Sequence, residues 1–203
     1  MPLEAFHAHW RSRHAQLIVR LPGIRGYVQN FPVSGKDAPG SQAYDAIAES
    51  SFDDTAAMKA LARTPEYAVV LADEPNFIDR ASMGSIITDE HLLNDGPAAG
   101  VKTLRFVARR PGVSIDAFFA GFLEAGKAAA RAPGVLRYAQ CHTRRSVYES
   151  GRTPRYDGVE MLWCGKGAAP CALLPFIDPQ RRAEIAVVER LVGLSSQENV
   201  VRP

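Results

Sequence analysis

The chain has 203 residues, of which 46% are hydrophobic and 23% charged, a composition typical of a protein with a packed core. Its 24 basic and 22 acidic side chains leave a net charge of +2, which gives no electrostatic reason to expect a nucleic-acid or membrane partner. No apolar run approaches the ~20 residues that cross a bilayer, and the first residues lack the pattern of a secretory signal. Three cysteines without such a signal predict reduced thiols and a cytoplasmic location.

The first predicted element is an amphipathic helix over residues 3–20, with Pro2 tolerated at its first turn. His14 lies at the border of its apolar arc, where an imidazole could face a pocket and exchange protons near neutral pH. The alternative is a half-buried histidine that is hydrogen-bonded to the backbone. At about 100° per residue the apolar arc contains Leu3, Phe6, Trp10, Leu17 and Leu21.

Two strands and a helical stretch are predicted next. Tyr27 and Gln29 alternate along the first strand and therefore point to one side of it. Asp45 and Glu49 share one face of the second strand, where two carboxylates could raise each other's pKa. A helical stretch over 55–73 follows.

The rest of the chain continues with predicted strands and one long helix. Residues 88–91 are interpreted as a short run after a strand, and the Gly- and Pro-rich stretch 94–100 as a linker. The further predictions are strands over 101–108, 136–142 and 156–163, a helix over 114–132, a short helical stretch over 168–174, and a strand or short helix over 184–191.

The two halves of the sequence resemble each other. When the two halves are aligned, residues of the first half match residues 112 positions later in the second half. This offset falls to 111 within the first helix and returns to 112 at Tyr44, which matches Tyr156. His14 falls on Gly126, so the polar ring occurs in one half. The matched pairs include Phe6 with Phe118, Trp10 with Phe122, Tyr27 with Tyr138 and Gln29 with Gln140.

These elements predict an α+β fold made of tandem ferredoxin-like repeats, each β-α-β-β-(α)-β. The two open sheets would pack against each other as an α+β barrel within one chain, a pseudo-dimer that could also form a homodimer. The predicted domains are repeat 1 over 1–93, the linker 94–100 and a degenerate repeat 2 over 101–203. Repeat 1 has no counterpart of the strand 101–108, and two explanations remain open: a start codon placed too late, or a strand supplied by another chain.

The predicted catalytic residue is His14 as general acid or base, assisted by Asp45 or Glu49. No phosphate loop, dinucleotide fingerprint, nucleophile elbow or zinc pattern occurs, so neither an organic cofactor nor a metal is predicted. The alternative for the two carboxylates is an ordinary surface pair with arginine.

The predicted substrate-binding residues are Trp10, Tyr27, Gln29, Phe31 and His142. Polar side chains that alternate along a strand can line the interior of a barrel. The alternative is that they simply face solvent.

The first half resembles the EthD family, within the dimeric α+β barrel superfamily. The resemblance implies a ferredoxin-like unit that pairs sheet to sheet, with a pocket between helix and sheet. The family's helix usually has His-Gly-Pro, where this chain has His14, Ala15 and Gln16. The stretches that carry the resemblance are FHAHWRSRH at 6–14, LPGIRGYVQN at 21–30, YDAIAE at 44–49, FDD at 52–54 and DEPNFID at 73–79.

Relatives on this scaffold include cofactor-free monooxygenases, lactone isomerases and polyketide cyclases or dehydratases, and fold alone does not fix the chemistry. The resemblance and His14 together predict a cofactor-free enzyme acting on a small aromatic, quinone-like or lactone compound. The alternative is a non-catalytic binding module for a hydrophobic metabolite, or an accessory to an oxygenase. A haem-degrading variant is a third, weaker alternative.

Overall fold

The computed structural model of the protein describes residues 1–32, 44–165, 185–186 and 196–201. The chain forms two compact units, which we call unit 1 and unit 2. In the described residues, unit 1 contains 1–32, 44–83 and the last strand, while unit 2 follows from residue 84. Both units are α+β with antiparallel strand pairs. The predicted helical stretch over 168–174 lies outside the described residues.

Unit 1 begins with the predicted helix, which contains a wide turn that the sequence does not reveal. Helix α1 spans Leu3–His9, a π-helical turn spans Trp10–His14, and helix α2 spans Ala15–Ile18. Pro2 precedes the first helical residue in extended backbone, and Glu4 lies in the first turn, where the helix dipole favours a negative charge. The predicted start and approximate end of the helix are therefore confirmed.

The strands of unit 1 follow the helix through a tight turn. Gly23 has φ 78°, a left-handed conformation that favours glycine, and it leads into β1 (Ile24–Pro32). Strand β2 (Ile47–Phe52) pairs antiparallel with β1. The last described strand, β8 (Ser196–Val201), lies beside β1.

The helical stretch predicted over 55–73 is divided into shorter helices. Helix α3 (Thr55–Ala60) continues as a 3₁₀ turn (Leu61–Arg63), and helix α4 spans Pro65–Asp73. The break falls at Thr64, whose backbone is extended because the following proline disfavours the helical conformation there. A second 3₁₀ turn, Glu74–Asn76, directly follows α4.

Two groups of buried side chains pack unit 1. One is mainly aliphatic and joins α2, β1 and α4. Its members are Ala15, Ile18, Leu21, Ile24, Tyr27, Leu61 and Val70. The second is aromatic and lies around the first part of the helix. Its buried members are Trp10, Phe31 and Phe77, with Phe6, Ala46 and Ile78 packed against them.

Unit 2 contains a four-stranded antiparallel sheet in the order β4-β6-β5-β3. Residues 88–91 belong to a strand, so their interpretation as a short run after a strand was wrong. The short β7 (Ile185–Ala186) pairs with β4, which places a strand within the range 184–191. The four strands are β3 (Thr88–Asn94), β4 (Val101–Arg109), β5 (Val135–Thr143) and β6 (Gly158–Cys164).

Helix α5 (Ile115–Ala129) covers one face of this sheet, and the short helix α6 (Arg145–Glu149) follows β5. Ser114 caps α5 by accepting a hydrogen bond from the backbone N–H of Ala117 at 3.2 Å, as predicted. Gly134, with φ 84°, turns the chain into β5. Every helix in the described part of the chain is too short or too polar to cross a lipid bilayer.

Candidate functional site

A buried carboxylate at the end of α4 is the centre of the candidate site in unit 1. The side chain of Asp73 is 1% exposed. His14 Nδ1 donates to its Oδ2 at 3.0 Å, and His9 Nε2 lies 3.1 Å from Oδ1 and 3.0 Å from Oδ2. Arg13 Nε lies 3.0 Å from Oδ1. One carboxylate therefore accepts hydrogen bonds from two imidazoles and forms an ion pair with a guanidinium.

The π-helical turn explains how one carboxylate reaches both imidazoles. His9 and His14 are five residues apart, and in an α-helix such side chains diverge by about 140° around the axis. A π-turn instead closes its backbone hydrogen bonds between residues five apart, which brings these two positions to the same side of the helix. π-turns within α-helices are frequent at functional sites.

The hydrogen bond to Asp73 fixes the tautomer of His14. An ionised carboxylate can only accept hydrogen bonds, so His14 Nδ1 carries the proton and Nε2 holds the lone pair. Burial lowers the pKa of His14 below its ordinary value near 6.5, although the hydrogen bond and the charge of Asp73 oppose this shift. The imidazole is therefore uncharged at neutral pH, with its lone pair on Nε2.

Asp73 stays ionised in spite of its burial. Burial alone would raise the pKa of a carboxyl group, but interactions with His9 and His14, their hydrogen bonds foremost, outweigh it, and the pKa of Asp73 is lowered. In the described residues, no group of three or more His, Cys, Asp or Glu side chains is arranged to hold a metal ion.

An aromatic ring contacts both imidazoles, and further rings pack against it. The ring centroid of Phe77 lies 4.7 Å from that of His14 and 4.8 Å from that of His9. Phe6 stacks on Trp10 at 5.8 Å and also contacts Phe77 at 5.8 Å. The surroundings of the two imidazoles are therefore largely apolar.

Asp45 and Glu49 do not contact His14. Asp45 is exposed and lies before β2 rather than on it; its backbone carbonyl accepts a hydrogen bond from His7 Nε2 at 2.9 Å. Glu49 is on β2, and its Oε1 accepts from Asn30 Nδ2 at 2.6 Å. The carboxylate that the structure brings to His14 is Asp73.

Tyr27 and Gln29 lie on one side of β1, as predicted, but they are buried and do not face solvent. Gln29 Nε2 donates to the backbone carbonyl of Trp10 at 2.7 Å and lies 3.4 Å from the Tyr27 hydroxyl. Burial raises the pKa of Tyr27 to about 12, so the phenol is neutral at physiological pH. These side chains connect the strand to the helix.

Of the other predicted binding residues, Trp10 and Phe31 pack together in unit 1, with ring centroids 4.9 Å apart. His142 belongs to unit 2. Its ring centroid is 5.0 Å from those of Phe119 and Phe122, and its Nε2 lies 3.2 Å from Gln140 Oε1.

The prediction missed three members of the site: His9, Arg13 and Asp73. The sequence does not reveal the π-turn, and regular α-helical spacing would place His9 and His14 on different sides of the helix. His9 and Arg13 were therefore not predicted. Asp73 lies 59 residues from His14, and only the family stretch at 73–79 marked that region of the sequence. Its position at the end of a predicted helix, shortly before Pro75, was the available local signal.

Unit 1 is thus a small α+β domain with an aspartate-oriented histidine beside aromatic rings. The family model described as the EthD domain matches residues 1–81, which cover nearly all of the described residues of unit 1 except its last strand. This match supports the EthD resemblance seen in the sequence, over residues 1–81. No curated protein and no solved structure matches the chain.

Proposed function

We propose that the protein is an enzyme in which His14 acts as general acid–base on a small hydrophobic molecule, without an organic cofactor. The observation that carries this proposal is the hydrogen bond from His14 Nδ1 to the buried carboxylate of Asp73. It leaves Nε2 as an oriented lone pair on an imidazole that is uncharged at neutral pH. An imidazole that only filled the core would not need an ionised partner that is itself buried.

The residues of the site support a reversible proton transfer. His14 Nε2 would take a proton from a carbon or hydroxyl group of the substrate and become an imidazolium. Asp73 would stabilise that positive charge, since its Oδ2 already accepts from Nδ1. Return of the same proton to another atom of the substrate gives an isomerisation, and its transfer to a departing hydroxyl gives a dehydration. Neither reaction needs an oxidant.

The proposed substrates are aromatic, quinone-like or lactone compounds. Phe77 contacts both imidazoles, while Phe6 and Trp10 extend the apolar surface beside them. In such surroundings a proton removed from a carbon next to a carbonyl leaves a delocalised anion, which flat conjugated compounds stabilise best. The resemblance to the EthD family points to the same class of small molecule.

The test is turnover of a panel of lactones and hydroxyquinones by the wild-type chain and by His14→Asn. The asparagine amide nitrogen takes the place of Nδ1, so the bond to Asp73 is retained and only the base is lost. We expect a loss of turnover of at least 100-fold. Gln16→Asn, at an exposed position of α2, is the control that should keep full turnover. Equal turnover by His14→Asn and the wild type would contradict the proposal.

We also infer that the two units are ferredoxin-like copies of one ancestor, as the sequence repeat suggests. In support, strand β1 and strand β5 both have nine residues and begin 111 positions apart, at Ile24 and Val135. Each unit has a glutamine that anchors its helix: Gln29 donates to Trp10, and Gln140 donates to the carbonyl of Phe122 at 2.8 Å. Gln29 and Gln140 are equivalent positions when the two halves of the sequence are aligned, and so are Trp10 and Phe122.

The aromatic contacts of the two units correspond in the same way. In unit 1, Phe6 stacks on Trp10 at 5.8 Å, and in unit 2 Phe118 stacks on Phe122 at 5.5 Å. His7 contacts Phe31 at 5.1 Å, whereas at the equivalent positions Phe119 contacts His142 at 5.0 Å, with histidine and phenylalanine exchanged. Such paired contacts support a duplication in which unit 1 alone has the His14–Asp73 pair.

A further inference from the structure

The helix of unit 1 and helix α5 of unit 2 differ by one residue, and the difference falls in the π-turn. Leu3 and Ile115, which begin the two helices, are 112 positions apart, while Ile18 and Ala129, which end them, are 111 apart. The extra residue of unit 1 therefore lies between these ends, where the backbone widens over Trp10–His14. A π-turn is the usual form that a one-residue insertion takes in an α-helix.

We propose that His9 and Arg13 are positioning residues for His14. Their contacts with the carboxylate of Asp73 orient that carboxylate towards His14 Nδ1 and reduce the negative charge that it directs to the His14 ring. This inference rests on the proposed role of His14. The geometry carries it, because Arg13 contacts Oδ1, His14 contacts Oδ2, and His9 lies 3.1 and 3.0 Å from the two. With both oxygens occupied, rotation of the carboxylate would break at least one of these bonds.

The consequence of sharing is a weaker base at His14. A carboxylate that faced His14 alone would direct its full charge to one imidazolium and strongly favour the protonated form. Each further donor reduces that preference, as does the burial of the ring. The charged and titratable groups that face His14 are Asp73 and Glu74 from α4 and its 3₁₀ extension, and His9 and Arg13 from its own helix. Arg80 in turn pairs with Glu74, with Nη2 and Oε2 2.8 Å apart.

The same arrangement is absent from α5. The position that matches His9 is Gly121, and the positions that match His14 at the two offsets are Ala125 and Gly126, all of them buried. A Cβ at Gly126 would lie 2.3 Å from Gln140 Nε2, so the packing there leaves no room for a side chain. The extra residue and the three side chains that contact Asp73 therefore occur together, in unit 1.

The experiment compares two amides at position 9, because they differ in reach but not in polarity. The amide nitrogen of glutamine can take the place of His9 Nε2, whereas that of asparagine is shorter by one methylene group. The protonation of His14 is followed by ¹⁵N NMR of its ring in the wild type, His9→Gln and His9→Asn. ¹⁵N shifts report both the tautomer and the midpoint of titration, and no substrate is needed.

We expect the titration midpoint of His14 to be the same in His9→Gln as in the wild type. In His9→Asn the midpoint of His14 should be about 0.5 pH unit higher, a threefold increase in the basicity of its ring. His14 should remain protonated at Nδ1 in all three, since its own bond to Asp73 is unchanged. Arg13→Gln should raise the titration midpoint in the same direction. An unchanged or lower midpoint in both His9→Asn and Arg13→Gln would overturn the inference.

Turnover separates this inference from the proposed function. If His14 is the base, the acid limb of the pH–rate profile of His9→Asn should move by the amount that NMR measures for His14. A shifted NMR titration together with full turnover by His14→Asn would refute the proposed function and leave the positioning of His14 intact. An unshifted titration together with inactive His14→Asn would refute the positioning alone.

Discussion

His142 gives the stability of unit 2 a specific dependence on pH. Burial, together with the nearby ring of His91, whose centroid lies 4.2 Å away, lowers the pKa of this imidazole to about 4. Its Nε2–H donates to Gln140 Oε1, which fixes the tautomer of the neutral ring. The perturbation is His142→Phe, which places in unit 2 the residue found at the equivalent position of unit 1, Phe31.

The size of the effect follows from the two pKa values. In the unfolded chain a histidine has a pKa near 6.5, so it takes up a proton as the pH falls below that value, while folded His142 stays neutral until about pH 4. The depressed pKa therefore contributes stability that is present above pH 6.5 and is lost towards pH 4. Between pH 7 and pH 5 the loss amounts to about 2 kcal/mol in the free energy of unfolding.

Urea unfolding at pH 7 and pH 5 measures this loss, with tryptophan fluorescence as the signal. The chain has two tryptophans, so a Trp10→Phe background leaves Trp163, in β6 of unit 2, as the reporter. In this background His142→Phe should lose about 2 kcal/mol less stability between the two pH values than the parent. Other groups, His14 among them, titrate equally in both proteins, so their contributions to the pH dependence of stability cancel in the comparison. Parallel losses in the two proteins would refute the reasoning.

Three further predictions concern stability at pH 7, measured by urea unfolding. Asp73→Ala should cost about 3 kcal/mol, because it leaves buried imidazole N–H donors without an acceptor; a cost below about 0.5 kcal/mol would show that the carboxylate is not buried as described. Gln29→Leu and Gln140→Leu should each cost about 1–3 kcal/mol, since each removes a buried side-chain hydrogen bond to a helix carbonyl, and a large cost at one alone would count against equivalent roles. Gly126→Ala should cost about 1–3 kcal/mol because its Cβ would overlap a buried amide, whereas Gly84→Ala, with open space around it, should be nearly neutral; equal effects would contradict the packing.

Much of the fold could be predicted because its elements are regular and bounded by clear signals. The predicted strand over 136–142 is observed as Val135–Thr143, and the strand over 101–108 as Val101–Arg109. Helix α5 begins after a serine cap, as its sequence indicates, and ends near the Pro-Gly pair at 133–134. Periodicity and capping are local properties, so one sequence is sufficient to find them.

The candidate site was only partly predictable, because its members depend on tertiary contacts. His14 was identified from its place at the border of the apolar arc; it is more deeply buried than the half-buried histidine of the alternative interpretation, and its partner is a carboxylate and not the backbone. Asp45 and Glu49 were chosen because they are neighbours in sequence with strand spacing. Asp73 reaches the site from the end of another helix, which no local pattern specifies.

The π-turn of the first helix also confines the structural effect of one additional residue to a short part of that helix. If the additional residue were absorbed by ordinary α-helical winding, every later side chain would rotate by about 100°. Ile18 and Leu21 would then leave the aliphatic core that α2 shares with β1. Because the turn confines the change to Trp10–His14, new polar chemistry could enter one flank of the helix while its final apolar contacts remained in register.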